Sequence, residues 1–375
     1  MKILLLILGA GALYLLERIL YRKLWDRGLS MKVEFTEKSA FEGDRSTLLE
    51  VVENRNFLPL VFLHAKFELG AGLVFENREN VSTSDMNYKN DIFSVLFYQR
   101  VRRRLPFTCA KRGYYYVNTA DLVSTDLFYD QKMVGNYPQS TDFYVYPGAV
   151  DLSRFEEPFL KMVGEVTSRQ FLYPDPFEFR GIRAYTLEDP LNTINWKASA
   201  KTGELMVNQF DSTVSRKLMI FLNVQDETVV EHHALHEESI RIAAALAAES
   251  LEKGLPVSFV CNGRDILNKE PAERIDALGK AQLEDIYRML SRIDLKQKKE
   301  SMKELVSREA GNPDFREAGY ILISSSQEKE LMEAFSAIGR EASAIHLVPL
   351  YKNMDFHPEE SNAFEQIRWE VKGYA

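Results

Sequence analysis

Residues 214–375 carry the pattern that most restricts what this chain can become. Leu218–Val224 reads LMIFLNV, an apolar run without alternation, as expected of a strand buried on both faces. Glu237–Leu251 follows with an alanine-rich helical face, and Pro256–Cys261 reads as a second strand. Pro271–Leu290 and Leu295–Ser307 read as helices, Gly319–Ser324 as a strand, Glu328–Ile338 as a helix and Ala344–Leu350 as a strand. Strands alternating with helices predict a parallel sheet, doubly wound, because a parallel connection needs a crossover long enough for a helix.

The opposite end of the chain differs in kind. Ile3–Leu16 has no charge, and after Glu17 and Arg18 the apolar run resumes through Tyr21. A helix from Ile3 to Tyr21 is about 28 Å long, close to the thickness of a bilayer core. A cleaved signal peptide is the competing reading, but no A-x-A site precedes a polar start, which favours an uncleaved anchor over residues 1–21. Glu17 and Arg18 then snorkel or pair, and Tyr21 and Trp25 suit an interfacial belt. Arg18, Arg22, Lys23, Arg27 and Lys32 follow the run whereas only Lys2 precedes it, so the bulk is expected in the cytoplasm of a single-pass protein.

After a linker over 22–30, residues 31–150 alternate short β-prone runs with turn clusters such as Glu42-Gly43-Asp44 and Glu53-Asn54-Arg55-Asn56. Strands are expected over Ile92–Arg102, Phe107–Val117 and Asp142–Tyr146, in an antiparallel, β-sandwich-like domain. Arg100, Arg102, Arg103, Arg104, Lys111 and Arg112 form a basic patch, read as a solvated strand face or as a contact with anionic lipid. The net charge of -8 argues against a general nucleic-acid binder. Cys109 and Cys261 lie in separate apolar stretches and read as reduced core thiols. The overall expectation is an α+β multidomain chain.

Residues 151–170 read as a connector with a short helix, placing Phe155, Phe159, Met162 and Val163 on one face. Tyr173-Pro174-Asp175-Pro176 ends it. Gly181 is expected where backbone passes closely, between Arg180 and Arg183. Either arginine is suited to clamp Asp189 or to meet a partner. Ile194, Trp196, Ala198 and Ala200 alternate with Asn195, Lys197, Ser199 and Lys201, which predicts a strand with one buried face and Trp196 as a core anchor. Thr202-Gly203 then turns the chain into a hairpin through Leu205, Val207 and Gln209.

This segment resembles the signature of the domain of unknown function 58 family. The residues that carry the resemblance are Arg180, Gly181, Arg183, Tyr185, Asp189, Pro190, Ile194, Trp196, Lys197, Ser199, Ala200, Lys201, Gly203 and Leu205. Glu42–Asp44, Lys111-Arg112-Gly113-Tyr114 and Tyr146-Pro147 also fall in the family's order. The resemblance implies a von Willebrand factor A-like domain, here within 171–375, and a MoxR-type AAA+ ATPase as partner. Such proteins often carry a two-helix membrane hairpin, whereas one span is visible here.

Domains of the implied kind often bind a divalent metal through an Asp-x-Ser-x-Ser loop after the first strand. The matching loop is Asn223-Val224-Gln225-Asp226-Glu227, with Asn for Asp, Gln for the first Ser and Glu for the second. Ser324-Ser325-Ser326 follows the third strand without an Asp. Loss of these hard oxygen ligands argues against a metal there. His232 and His236, four apart in EHHALH, share a helix face and could begin a transition-metal site, or be a polar helix start. Seven acids against Arg241 over Asp226–Glu252 make a solvated face or a site for a basic partner.

Functionally, this reads as a non-catalytic, membrane-anchored adaptor without cofactor. Arg180, Arg183, Tyr185, Asp189, Trp196, Lys197, Lys201, Asn223, Gln225 and Glu227 are its expected partner-binding residues. The alternatives are a hydrolase or metal-dependent enzyme using the histidine-rich rim, and a structural membrane protein that binds through its β domain.

Overall fold

The computed structural model describes residues 2–77, 79–169, 179–186, 189, 191–210, 217–227, 232–312, 315–316, 318–356, 358 and 363–372. The chain divides into two compact units, Met1–Ala149 with Leu290–Arg292, and Val150–Met289 with Ile293–Ala375.

The first unit opens with helix α1 (Lys2–Leu24). Ten strands follow: β1 (Leu29–Phe35), β2 (Ser39–Phe41), β3 (Arg45–Asn54), β4 (Leu60–Gly70), β5 (Leu73–Phe75), β6 (Val81–Thr83), β7 (Met86–Val95), β8 (Arg100–Cys109), β9 (Gly113–Thr125) and β10 (Lys132–Tyr146). They form two sheets, ordered β1-β3-β8-β5 and β2-β10-β9-β4-β7-β6. Every pairing is antiparallel except β2 with β10, which is parallel. In β1, Leu29, Met31, Val33 and Phe35 point inward and alternate with exposed residues, the pattern of a sheet with one buried face. Residues of both sheets share one core, where the Phe35 ring stacks on Phe143 at 4.9 Å and Phe107 meets Phe143 edge-on at 5.5 Å.

The expected strand over Ile92–Arg102 is broken at residues 96–99, where Tyr98 N donates to Asn56 O at 3.1 Å. That over Phe107–Val117 is broken at residues 110–112. The basic patch is also divided. Arg100 pairs with Glu53 at 2.8 Å, Arg103 with Asp91 at 3.2 Å, and Arg112 is buried.

Helix α1 is long and apolar enough to cross a bilayer. At its carboxyl end, however, one face enters the protein core: Tyr21, and Trp25 just beyond the helix, are buried among the strand residues, so they form no interfacial belt. The Tyr21 hydroxyl donates to Pro59 O at 2.7 Å. The two charges that interrupt the apolar run are tied to the β9–β10 loop. Glu17 Oε1 accepts from Leu127 N at 2.9 Å, and Arg18 lies 3.4 Å from Asp130.

In the second unit, helix α2 (Glu156–Arg169) occupies the stretch expected as a connector. A small ladder follows from β11 (Phe179–Ala184), helix α3 (Trp196–Thr202) and β12 (Met206–Phe210). The remaining elements are β13 (Lys217–Leu222), α4 (His233–Glu252), β14 (Val257–Cys261), β15 (Arg264–Asp265), β16 (Ile275–Ala277), α5 (Leu283–Arg292), β17 (Ile293–Asp294), α6 (Met302–Ala310), β18 (Ala318–Ile323), α7 (Lys329–Gly339), β19 (Ser343–Tyr351) and β20 (Glu365–Val371). The main sheet runs β16-β14-β13-β18-β19-β20, parallel throughout except for β16.

Met219, Phe221, Tyr320 and Leu322 face a cluster completed by α6 and α7. The alternate residues face the other side, covered by α2 and α4. Gly319 allows α2 to approach, since a Cβ there would lie 3.0 Å from Val166 and 3.3 Å from Met162. The helix expected over Pro271–Leu290 starts only at Leu283, because Ile275–Ala277 pairs along the free edge of β14. That expected over Leu295–Ser307 starts at Met302.

Candidate functional site

Two places in the second unit hold the residues singled out by sequence. The first is the signature ladder. β11 and β12 pair antiparallel with a bulge between Phe179 and Gly181, which leaves Arg180 out of register. The Arg180 side chain lies outside the described residues, as do Tyr173–Pro176, Pro190 and Glu231. Gly181 is not a point of close approach, since a Cβ there would meet nothing within 4 Å.

Arg183 clamps Asp189 with two bonds, Nη1 to Oδ2 at 2.7 Å and Nη2 to Oδ1 at 2.5 Å. Thr186 adds its N–H and hydroxyl to Asp189 Oδ2, each at 2.8 Å. The Arg183 guanidinium, followed by the Thr186 amide, holds the Asp189 carboxyl well below the usual carboxylate range. The clamp fixes the loop after β11, and Tyr185 N donates to Leu205 O at 2.8 Å beside it.

The expected strand over Ile194–Lys201 is instead the capped helix α3. Asn195 Oδ1 accepts from Ala198 N at 2.9 Å at the amino end, and Gly203 adopts φ +78° at the carboxyl end with its N–H on Ser199 O at 3.0 Å. Ser199 Oγ accepts from Met206 N at 2.8 Å and binds the helix to β12. The change of element turns Trp196 outward. It is no core anchor but is 69% exposed. Lys197 and Lys201, one turn apart, are exposed on the same helix. Leu191 and Leu205 add exposed apolar surface to this small ladder.

The second place is the carboxyl edge of the parallel sheet. Leu222 pairs with Cys261 and with Ile323, so the three strands end level. The residues that follow are Asn223, Asn262 and Ser324, all buried. Asn223 Nδ2 donates to Ser324 Oγ at 2.9 Å, and Asn262 Nδ2 donates to Asn223 Oδ1 at 2.7 Å. Asn262 Oδ1 accepts from Val224 N at 2.9 Å, and Asn223 Oδ1 also accepts from Gln225 N at 3.1 Å. Amide pairs thus lock the edge with neutral groups. Gln225 and Glu227 are exposed beside it, and Glu227 Oε1 accepts from Gln327 N. Asn262 was not anticipated, although its position just after an apolar strand run was visible in the sequence.

His232 and His236 do not act as a pair. His236 is buried with Nε2 2.8 Å from Asp226 Oδ2, while His232 meets the Tyr351 ring edge-on at 5.9 Å. Burial pushes His236 below the ordinary histidine range, against the pull of Asp226. Among the described residues no group of three or more His, Cys, Asp or Glu is placed to hold a metal ion.

Residues 181–355, a little under half of the chain, match the family described as "Protein of unknown function DUF58". No curated protein matches the sequence. Similar solved structures include a CARDB domain from Pyrococcus furiosus, at 11% identity over 31% of this chain and 90% of that one, with a TM-score of 0.20. A non-cellulosomal cohesin from Archaeoglobus fulgidus shows 9% identity over 34% and 97%, with a TM-score of 0.21. A type II cohesin from the cellulosome of Acetivibrio cellulolyticus shows 10% over 31% and 94%, also at 0.21. At these scores neither fold nor function passes from them to this chain.

Proposed function

We propose that this protein is a membrane-anchored, non-catalytic adaptor whose second unit binds a MoxR-type AAA+ ATPase or that ATPase's client, in complex assembly or envelope work. Exposed Trp196 carries the reading. A capped helix inside the family-matching segment holds a large aromatic ring in solvent, beside Lys197 and Lys201. Tryptophan anchors of this kind dominate binding energy at protein interfaces. The bidentate Arg183–Asp189 pair keeps the neighbouring loop in one shape, which lowers the ordering cost of binding.

A sheet with helices on both faces and an antiparallel edge strand supports the von Willebrand factor A-like, doubly wound reading. In such sheets partners bind beyond the carboxyl ends of the strands, here the edge lined by Asn223, Gln225 and Glu227. The apolar α1 serves as the anchor. The basic residues after it support a cytoplasmic side for the bulk of the chain.

The test is capture from detergent-solubilised membranes with the full chain as bait, ATP and magnesium present, read by mass spectrometry. A AAA+ ATPase recovered by the wild type and lost with Trp196→Ala is the expected result. Because the ring is exposed, this variant keeps its stability within about 0.5 kcal/mol. Equal recovery of the ATPase by the variant removes Trp196 from the interface.

A further inference from the structure

The first unit ends, on the side where α1 enters, in three loops that carry large apolar side chains into solvent. Residues 55–59 present Phe57, residues 96–99 present Leu96, Phe97 and Tyr98, and residues 126–131 present Leu127, Phe128 and Tyr129. Tyr98 is 72% exposed, and the other four aromatic rings are each more than half exposed. Tyr98 and Tyr129 sit at positive φ, +53° and +64°, a region that non-glycine residues rarely adopt. Soluble surfaces seldom gather so much apolar area at one end.

The loops belong together. Asn54 Nδ2 donates to Leu58 O at 2.7 Å and to Leu96 O at 3.1 Å, which joins the first two. The Phe62 ring, in β4, meets Tyr129 at 4.9 Å and brings in the third. This third loop lies along α1 itself. Phe128 meets the Tyr14 ring at 5.3 Å, the Tyr14 hydroxyl donates to Asp130 at 2.8 Å, and Glu17 and Arg18 are held by Leu127 N and Asp130.

We infer that this end of the β unit dips into the bilayer around α1, with Phe57, Leu96, Phe97, Tyr98, Leu127 and Phe128 in the headgroup and outer acyl region. This rests on the reading of α1 as a membrane anchor. Continuity with α1 identifies the occupant, since the loop that bears Phe128 touches the apolar helix within its apolar run. Tyr14 lies seven residues before Tyr21, the point where α1 becomes protein core. That is about 10 Å along a helix, and interfacial apolar groups enter a bilayer by about 5–10 Å. Arg22, Lys23 and Arg27 are exposed at the same end, where they face lipid phosphates. The β unit is thus held at a fixed depth and does not hang from a flexible tether.

The full chain carrying Phe97→Cys, Phe128→Cys or, at the far end of the sandwich, Lys38→Cys tests this. Each is labelled with an environment-sensitive fluorophore, the native Cys109 and Cys261 being buried. The protein is reconstituted into phosphatidylethanolamine–phosphatidylglycerol vesicles with or without a lipid bearing a nitroxide high on its acyl chain. The labels at 97 and 128 are expected to lose roughly half their emission to the nitroxide at this shallow depth, while that at 38 loses none. Flotation with the vesicles but no more quenching at 97 and 128 than at 38 overturns the inference and leaves the anchor intact. Failure to float removes both. Emission at 97 and 128 that changes with protein density but not with nitroxide assigns the loops to a second copy of the chain and also overturns the inference.

Discussion

Acidification should destabilise the second unit through one histidine. His346 lies in β19 with no exposed surface. Its Nδ1 is 3.1 Å from Gln366 Nε2, an amide nitrogen that can only donate, so Nδ1 accepts. Its Nε2 is 3.1 Å from Ser324 O and carries the hydrogen. A second proton would face a donor inside the core. Burial therefore pushes the imidazole down to about 4, against the pull of the Ser324 carbonyl. Unfolded, the same ring titrates near ~6.5. Between these values the unfolded chain binds more protons, so stability rises with pH and is lost as pH falls. From about pH 7 to about pH 5 the loss is roughly 2 kcal/mol, approaching about 3 kcal/mol below the folded value.

Urea unfolding of the full chain in detergent measures this through Trp369. Its indole N–H donates to Glu238 at 3.2 Å, so it reports on β20 and α4. Trp25 and Trp196 are replaced by phenylalanine to leave Trp369 as the only tryptophan signal. His346→Gln removes the titration, so the wild type should lose about 2 kcal/mol more than the variant over that pH range. Equal losses in both would refute the neutral-histidine argument.

The first unit should respond with the opposite sign. Glu50 is fully buried beside Asp91, and burial first, then Asp91, hold its carboxyl above the ordinary range. The folded state keeps a proton that the unfolded chain releases, so this contribution is lost as pH rises through the folded value. Glu50→Gln should flatten the decline in thermal melts of the β unit between about pH 4.5 and the folded value of about 8; parallel declines in wild type and variant would count against it. Trp25→Ala should cost about 3–5 kcal/mol, as truncation of a buried aromatic does, and an unchanged melting temperature of the β unit would place the ring outside the core. Gly319→Ala should cost about 1–3 kcal/mol by pressing on Val166 and Met162, read as a lower melting temperature of the second unit; no change would mean that α2 can retreat freely.

The parts of the fold that sequence foretold are those where burial alone dictates residue type. LMIFL reads as an interior strand because nothing polar interrupts it before Asn223, and β13 lies there. β20 is hard to read from sequence because Val371 alone of EQIRWEV is buried, so no apolar run marks the strand. The WKASAK stretch misled because small and polar residues alternate there by chance, giving a period of two with little apolar mass behind it. The capping signals decided the outcome: Asn195 before the run and Gly203 after it are a helix start and stop. Hydropathy marked Tyr21 and Trp25 as apolar but could not say whether lipid or protein would cover them. That depended on Pro59 and on strands distant in sequence. The carboxyl edge shows the same division. Asn223 in place of an acid was legible, but an amide there is satisfied only because Asn262 and Ser324 arrive level with it. The register of β13 with β14 and β18 sets that arrangement. An acid restored at 223 would lose the donor that Ser324 now accepts from, so the neutral edge holds together as a set and not as one substitution.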